Sequence, residues 1–231
     1  MSFTGTGRNG VCLLGEAYGE AEKQRNKPFQ GPAGAVLARM LALMGLDRDD
    51  FLITNVYSDQ PPHNREPFDS EIEQDRPKWE ALIEQYKIKV VVPLGNVPLR
   101  AMLDLEGIQG KRGYLWFGLR SPVWVLPTVH PAFIMRGNDN WTALWLHDIQ
   151  KALLVAQEGP PKAPSRMLTL DPSPSVAIEW ANAWLKYWPD KALAFDIETP
   201  YGEKDSGDND APSTINRIGF AYRADCRTRA L

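Results

Sequence analysis

The sequence predicts an α/β fold with a mainly parallel central sheet, and two observations support that prediction. Short apolar runs alternate along the chain with longer segments whose apolar residues recur at helical spacing. The run VVVPLG at 90–95 shows no alternation with polar residues, which is typical of a strand covered by helices on both faces. Alternation of strand and helix favours parallel pairing, because each helix carries the chain back across the sheet.

Four strands and four helices follow from these patterns. The predicted strands are 11–15, 51–57, 90–95 and 123–131. The predicted helices are 31–46, 70–86, 96–105 and 141–157. Gly45 stands near the end of the first helix, where glycine is a usual stop signal. Asn96 stands at the start of the third, where its side chain can cap the first turn.

The composition excludes several classes of protein. The chain has 231 residues, with 26 basic and 29 acidic side chains and a net charge of −3, so DNA binding would need a local basic surface. The two cysteines, Cys12 and Cys226, exclude a disulfide scaffold and any all-cysteine metal site built from this chain alone. No apolar run approaches the ~18 residues of a membrane helix, and the N-terminus lacks the apolar core of a signal peptide. We therefore expect a cytoplasmic protein without membrane contact.

A proline-rich stretch predicts a domain boundary. Five prolines lie between residues 158 and 175, and we interpret 158–175 as a stiff linker. It separates a first domain, 1–157, from a remainder, 176–231. The remainder is about 56 residues long, too few to bury a good core alone. We therefore predict that it is the N-terminal part of a larger domain.

Polar side chains follow three of the predicted strands. Glu16 follows the first, Asn55 comes late in the second, and His130 and Arg136 come with the fourth. Ligands bind beyond the carboxyl ends of the strands in an α/β sheet, so these side chains form a chemically competent set. Each also has a plainer interpretation: Glu16 as a surface charge, Asn55 as a turn cap, and His130 as a hydrogen-bonded structural residue.

Five ordered blocks of sequence resemble the uracil-DNA glycosylase superfamily, specifically its family 4 branch. The blocks are GEAYGEAE, KPFQGPAGAVLARML, FLITNVYSDQPPHNREP, VVVPLG and PTVHPAFIMR, and the match covers roughly Val11 to Leu154. The resemblance implies a three-layer α/β/α domain with a four-stranded parallel sheet. It also implies a monomer that flips uracil out of single- or double-stranded DNA and hydrolyses its N-glycosidic bond.

The resemblance assigns roles to individual residues. It implies that His130 donates to the charge developing on the uracil oxygen and that Asn55 reads the edge of the base. It implies that Phe29 stacks on the flipped base. Glu16 would orient the attacking water or stabilise the cationic sugar, and Glu22 would lie near the C5 edge of uracil; the sequence does not decide which of the two handles the water.

The same blocks imply contacts around the base. Gly15, Ala17 and Tyr18 belong to the first block and would line the substrate site, while Arg136 and the turn from Gly31 to Gly34 would hold phosphates or backbone. The family usually has proline where this chain has Tyr18. A tyrosine there would either exclude the 5-methyl group of thymine or crowd the pocket, and the sequence leaves both alternatives open.

The cofactor expectation rests on missing cysteines. Family 4 enzymes usually hold an iron–sulfur cluster on four cysteines, from an N-terminal pair, the loop after the second strand and the following helix. The corresponding segments here contain no cysteine. We therefore expect the glycosylase domain to have neither an iron–sulfur cluster nor another cofactor.

A second resemblance lies in ALAFDIETP at 192–200, which is similar to the first motif of DEDD-type 3′–5′ exonucleases, as in family A DNA polymerases. It implies a ribonuclease-H-like domain in which Asp196 and Glu198 bind catalytic Mg²⁺. The remaining carboxylates are not found before Leu231, so we expect this exonuclease site to be incomplete. The leading hypothesis is a glycosylase at the head of a polymerase-like replication or repair protein. The alternatives are an inactive module that binds DNA or uracil, and a protein whose only active part is the exonuclease.

Overall fold

A computed structural model of the chain describes residues 2–118, 122–162, 173–187, 193–198 and 217–222. The chain divides into two units, Met1–Ala163 and Pro164–Leu231. The first unit contains a five-stranded sheet in the order β2-β1-β3-β5-β4. Its strands are β1 (Val11–Gly15), β2 (Leu52–Asn55), β3 (Val90–Pro93), β4 (Trp116–Phe117) and β5 (Trp124–Val125).

Seven helices of the first unit are described. They are α1 (Glu20–Arg25), α2 (Pro32–Leu43), α3 (Asp69–Gln85), α4 (Asn96–Leu103), α5 (Ile108–Lys111), α6 (Pro131–Met135) and α7 (Thr142–Glu158). Short 3₁₀ turns lie at Arg48–Asp50, Pro62–Asn64 and Asp139–Trp141. In the part of the chain that the structure describes, no helix is both long and apolar enough to cross a membrane.

The sheet confirms the predicted α/β class but differs from the predicted four-stranded parallel sheet. β2, β1, β3 and β5 are parallel, whereas β4 pairs antiparallel with β5 at the edge. β4 has only two residues and one of them, Phe117, is half exposed. It lies in the apolar run YLWF at 114–117, which the predicted strands do not include. The predicted strand at 123–131 is regular only over β5, and a single bridge from Leu94 to Thr128 continues it.

Side chains alternate between the two faces of the sheet, and helices cover both faces. Leu13 and Val92 pack into a core with residues of α2, α6 and α7. Cys12 and Val91 pack on the other side with residues of α3 and α4. This arrangement explains why β3 shows no alternation with polar residues, since both of its faces are buried.

The second unit is described in three pieces. Helix α8 (Pro174–Tyr187) is followed by β6 (Leu193–Glu198) and β7 (Arg217–Tyr222), which pair antiparallel. Most of the predicted linker, residues 163–172, lies outside the described residues. Asp196 and Glu198 lie in β6, but their side chains lie outside what the structure describes, so the exonuclease metal site stays a prediction.

Candidate active site at the carboxyl edge of the sheet

The carboxyl ends of β1 and β2 bring a set of polar and aromatic side chains to one pocket. Gly15 and Asn55 are neighbours across these two strands, and His130 follows the bridge that extends β5. The pocket has a volume of about 250 Å³. It is lined by Ala17, Gly19, Glu22, Phe29, Gly31, Pro32, Ala33, Asn55, His130 and Met135. Sequence reasoning predicted eight of these residues for the site: Ala17, Glu22, Phe29, Asn55 and His130 singly, and Gly31, Pro32 and Ala33 as part of the turn from Gly31 to Gly34.

Asn55 places an unsatisfied amide in this pocket. Its side chain is only 3% exposed, and its Nδ2 is buried without a hydrogen-bond partner. Buried polar groups are nearly always paired, so an unpaired donor on a side chain that lines a pocket is suited to a ligand that supplies the acceptor. No side-chain hydrogen bond of Asn55 to a turn is found among the described residues, and its Nδ2 is free to meet an acceptor.

Gly15 leaves space for the side chains of Asn55 and Phe29. A Cβ added to Gly15 would collide with the side-chain oxygen of Asn55 and would lie 2.6 Å and 2.8 Å from two ring carbons of Phe29. Only glycine allows the amide and the ring to approach the backbone this closely. Gly15 is not a lining residue in the described pocket, so its part in the site is to leave space.

Phe29 covers one side of the pocket. Its ring is stacked on the imidazole of His130, with the ring centroids 5.6 Å apart and the planes 26° from parallel. Its backbone adopts a φ of 54°, in the left-handed region that non-glycine residues rarely occupy. Such conformations cluster at ligand sites, where the surrounding structure imposes them.

His130 is fixed in one orientation by the helix that it begins. It is the N-cap of α6, and its Nδ1 accepts a hydrogen bond from the backbone N–H of Ala132 at 3.1 Å. Burial, together with the charge of Arg136 and against the charge of Glu22, lowers the pKa of His130 to about 4. The imidazole is therefore neutral at pH 7, and because Nδ1 accepts, the ring proton is on Nε2.

The two acidic candidates have different surroundings. Oε1 of Glu22 accepts hydrogen bonds from the backbone N–H groups of Gln30 at 2.8 Å and Gly31 at 2.7 Å, so this carboxylate satisfies the N-terminus of α2. Glu16 is half buried, and burial raises its pKa above the ordinary value. The charge of Glu66 acts in the same direction, and Arg100 and Arg136 act against it.

Tyr18 and Arg136 lie outside the lining set of the described pocket. Tyr18 is 5% exposed and its hydroxyl is buried without a partner. Burial, Glu22 and Asp59 raise the pKa of Tyr18 to about 12. Arg136 is exposed at the end of α6, and its charge acts on both His130 and Glu16.

Sequence reasoning missed three residues that shape the pocket, namely Gly19, Met135 and Arg48. Met135 lines it and is 47% exposed; its place in the block that carries His130 was an available signal. Arg48 donates to the backbone carbonyl of Phe29. No pattern could have indicated it, because the contact joins a side chain to a main chain 19 residues away.

Comparison with known proteins identifies the family. The fold and the pocket together define an open-sheet α/β domain with its ligand site at the carboxyl ends of the strands. The profile of the uracil-DNA glycosylase superfamily matches residues 3–152, and the chain belongs to that superfamily.

Several relatives are similar to parts of the chain. A type-4 uracil-DNA glycosylase of Sulfurisphaera tokodaii is 33% identical over 150 residues, which are 61% of this chain and 67% of the relative. The type-4 enzyme of Thermotoga maritima is 34% identical over 155 residues, 64% of this chain and 79% of the relative. A DNA polymerase of Bacillus phage SP01 is 26% identical over 215 residues, 88% of this chain and 23% of the polymerase.

The comparisons overturn the expectation of a cofactor-free glycosylase. The matched glycosylases are type-4 proteins, a class of iron–sulfur enzymes, and this contradicts the prediction that the cluster is absent. The residues described here do not present a site for it: they contain no group of three or more His, Cys, Asp or Glu side chains able to hold a metal ion. Cys12 is buried within β1, and no step of the chemistry below involves a cluster.

Proposed function

We propose that this chain removes uracil from DNA by hydrolysing the bond between uracil N1 and the deoxyribose C1′. The observation that carries the proposal is the buried, unpaired amide of Asn55 in one pocket with the neutral His130 and the stacked Phe29. The pocket volume of about 250 Å³ is large enough for a single base. A base inside duplex DNA would therefore have to leave the stack to enter it.

Asn55 supplies the base recognition in this proposal. Its Nδ2 donates to uracil O4 and its Oδ1 accepts from N3–H. Cytosine reverses both requirements, because it has an amino donor at position 4 and an acceptor at N3. The Asn55 amide is packed closely against Gly15, with Oδ1 on that side. With the amide in this orientation, cytosine leaves buried polar groups unpaired.

His130 stabilises the leaving group. As the C1′–N1 bond breaks, its electron pair departs with N1 and negative charge spreads to the uracil oxygens. The Nε2–H of the neutral imidazole donates a hydrogen bond to this charge. A depressed pKa suits that role, because the ring holds its single proton in place without transferring it.

Glu16 handles the water. Oε1 of Glu22 is engaged with two backbone N–H groups of the α2 turn, so we assign the water to Glu16, which follows β1 directly and lies outside the lining set of the described pocket. Its negative charge stabilises the positive charge on the sugar ring, and it accepts a proton from water as the water oxygen attaches to C1′. The product is a DNA strand with a free sugar hydroxyl and no base.

The rim of the pocket contacts the DNA strand. Arg136 is exposed and suited to a phosphate. The exposed thioether of Met135 lies beside it at the mouth, where an apolar side chain can fill the gap that a flipped base leaves.

We also propose that the domain works as part of a larger DNA polymerase-like protein. The support is the phage polymerase, whose alignment covers 88% of this chain and thus extends beyond the glycosylase profile at 3–152.

Limited proteolysis tests the predicted domain boundary. Cleavage confined to 158–175 would leave an intact 1–157 fragment, whereas early cleavage inside that fragment would contradict the boundary.

An oligonucleotide assay tests the proposed activity. The chain is incubated with single- and double-stranded oligonucleotides that carry one uracil, and with matched thymine controls, and alkali then breaks the strand at any abasic site. Scission at uracil alone, lost in His130→Ala and Asn55→Ala, is the expected result. Tight binding to uracil-containing DNA without scission would favour a binding module instead.

A further inference from the structure

The segment that carries Phe29 is held from two sides by opposite charges. Two Nη atoms of Arg48 donate to the backbone carbonyls of Phe29 at 2.9 Å and Pro28 at 3.0 Å. Oε1 of Glu22 accepts from the N–H groups of the next two residues, Gln30 and Gly31. Three consecutive peptide groups, between Pro28 and Gly31, are therefore fixed by one cation and one anion.

Arg48 is placed for this contact and not for solvent. It begins the 3₁₀ turn before β2 and is half buried. Burial lowers its pKa, and the charges of Asp49 and Glu22 oppose that change. A partly buried guanidinium costs desolvation energy, which hydrogen bonds to two carbonyls of one turn help to offset.

The surrounding packing leaves Phe29 no other position. A Cβ on Gly34 would collide with the carbonyl oxygen of Phe29 and lie 3.0 Å from its Cα, so the backbone is pressed against α2. The ring side is bounded by Gly15 and by the imidazole of His130. The left-handed φ of 54° at Phe29 is thus a consequence of contacts on three sides, and Arg48 supplies the polar one.

We infer that Arg48 is a positioning residue for the pocket: its fork of hydrogen bonds holds Pro28 and Phe29 so that the aromatic ring lies over His130 before a base enters. This inference rests on the proposed function, because the ring matters through the base that it stacks on. Holding the ring in advance removes an ordering cost from binding. Loss of the fork should therefore weaken base binding more than bond cleavage.

Kinetics of variants provide the first test. Arg48→Ala should raise KM about 10-fold and change kcat less than about threefold. Arg48→Lys keeps the charge without the planar fork and should show a smaller rise in KM. Arg8→Ala is the control, because Arg8 pairs with Asp50 of the same 3₁₀ turn at 2.5 Å and is exposed; it should leave KM unchanged.

A double variant shows whether Arg48 acts through Phe29. In a Phe29→Ala background the ring is gone, so adding Arg48→Lys should not raise KM further. An unchanged KM in Arg48→Lys and Arg48→Ala would overturn the inference. So would a full, additive effect of Arg48→Lys in the Phe29→Ala background.

A readout independent of activity separates this inference from the proposed function. The chain has three histidines, so the ring proton signals of His130 are assignable by NMR with a His130→Gln reference. Arg48→Lys should shift the His130 signals through loss of the ring stacking, whereas Arg8→Ala should not. If the wild-type chain excises no uracil, the proposed function fails, but the NMR result still decides whether Arg48 positions the ring; an unshifted His130 signal would contradict it.

Discussion

Gly15 and Asn55 are paired across β1 and β2, and the side-chain oxygen of Asn55 occupies the space where any Cβ on Gly15 would stand. Gly15→Ala should therefore push the amide and the ring of Phe29 out of place. We expect excision to fall by about 100-fold or more, because a displacement of about 1 Å in a site has that effect. Single-turnover excision of uracil measures it.

Gly110→Ala is the matched control for this change. Gly110 lies in α5 with no atom within 4 Å of an added Cβ. Its stability and activity should stay within about 0.5 kcal/mol of the wild type, as for most surface changes. An equal loss of activity in both variants would show that space at Gly15 is not the cause.

The stability of the chain should depend on pH through His130. Burial lowers the pKa of His130 from 6.5 to about 4 in the folded state. Between these values the unfolded chain binds a proton that the folded chain does not, so stability falls as the pH drops from 6.5 towards 4. Urea unfolding at several pH values in this range measures the slope.

His130→Gln removes the titrating ring and should flatten this slope. His63→Gln, at an exposed position outside the pocket, should retain the wild-type slope. A slope that is the same in all three proteins would show that His130 is not the source of the pH dependence.

Glu16 and Glu22 should respond differently to the same change. Glu16→Gln removes the carboxylate that handles water, so kcat should fall by about 100-fold or more. Burial raises the pKa of Glu16, so the acid limb of the wild-type rate profile should lie above the ordinary carboxyl range and disappear in this variant. Glu22→Gln keeps an oxygen that accepts from Gln30 and Gly31, and its kcat should fall far less. If kcat falls more in Glu22→Gln than in Glu16→Gln, Glu22 and not Glu16 handles the water.

The buried Asp148 supports the strand end that leads to His130. It accepts from Nε of Arg112 at 2.7 Å, from a second nitrogen of the same guanidinium, and from the hydroxyl of Thr128 at 2.7 Å. Asp148→Ala leaves these donors unpaired, so the free energy of unfolding should fall by about 3 kcal/mol. Lys23→Ala breaks an exposed pair with Asp59 and should cost less than about 1 kcal/mol. Equal losses in urea unfolding would contradict the structural role of Asp148.

The sequence predicts the parallel part of the sheet well because strands buried on both faces form continuous apolar runs. The run at 90–95 is apolar throughout. The predicted strands at 11–15, 51–57 and 90–95 correspond to β1, β2 and β3 of the sheet. The prediction missed β4, which lies in the apolar run YLWF at 114–117 and has only two residues. The strand predicted at 123–131 is regular only at Trp124–Val125, because apolar composition does not reveal where ladder pairing stops.

The candidate site was predictable where it uses polar side chains at or just after the carboxyl end of a strand. Asn55 and His130 were found in this way and line one pocket. The contact of Arg48 with the main chain was hidden, because a side chain that binds a carbonyl leaves no pattern in the sequence. The same holds for Glu22, whose bonds to the turn before α2 depend on the folded path of residues 26–31.

The choice of base by Asn55 most directly tests whether this chain excises uracil through the pocket at the ends of β1 and β2. Asn55→Asp offers an acceptor to the 4-amino group of cytosine and, when protonated, a donor to cytosine N3. The measurement is the free base released from oligonucleotides that carry a single uracil or a single unpaired cytosine. We expect the wild-type chain to release uracil and not cytosine, and Asn55→Asp to release cytosine. Wild-type chain that binds the uracil oligonucleotide but releases no base, or that releases both bases equally, would contradict it.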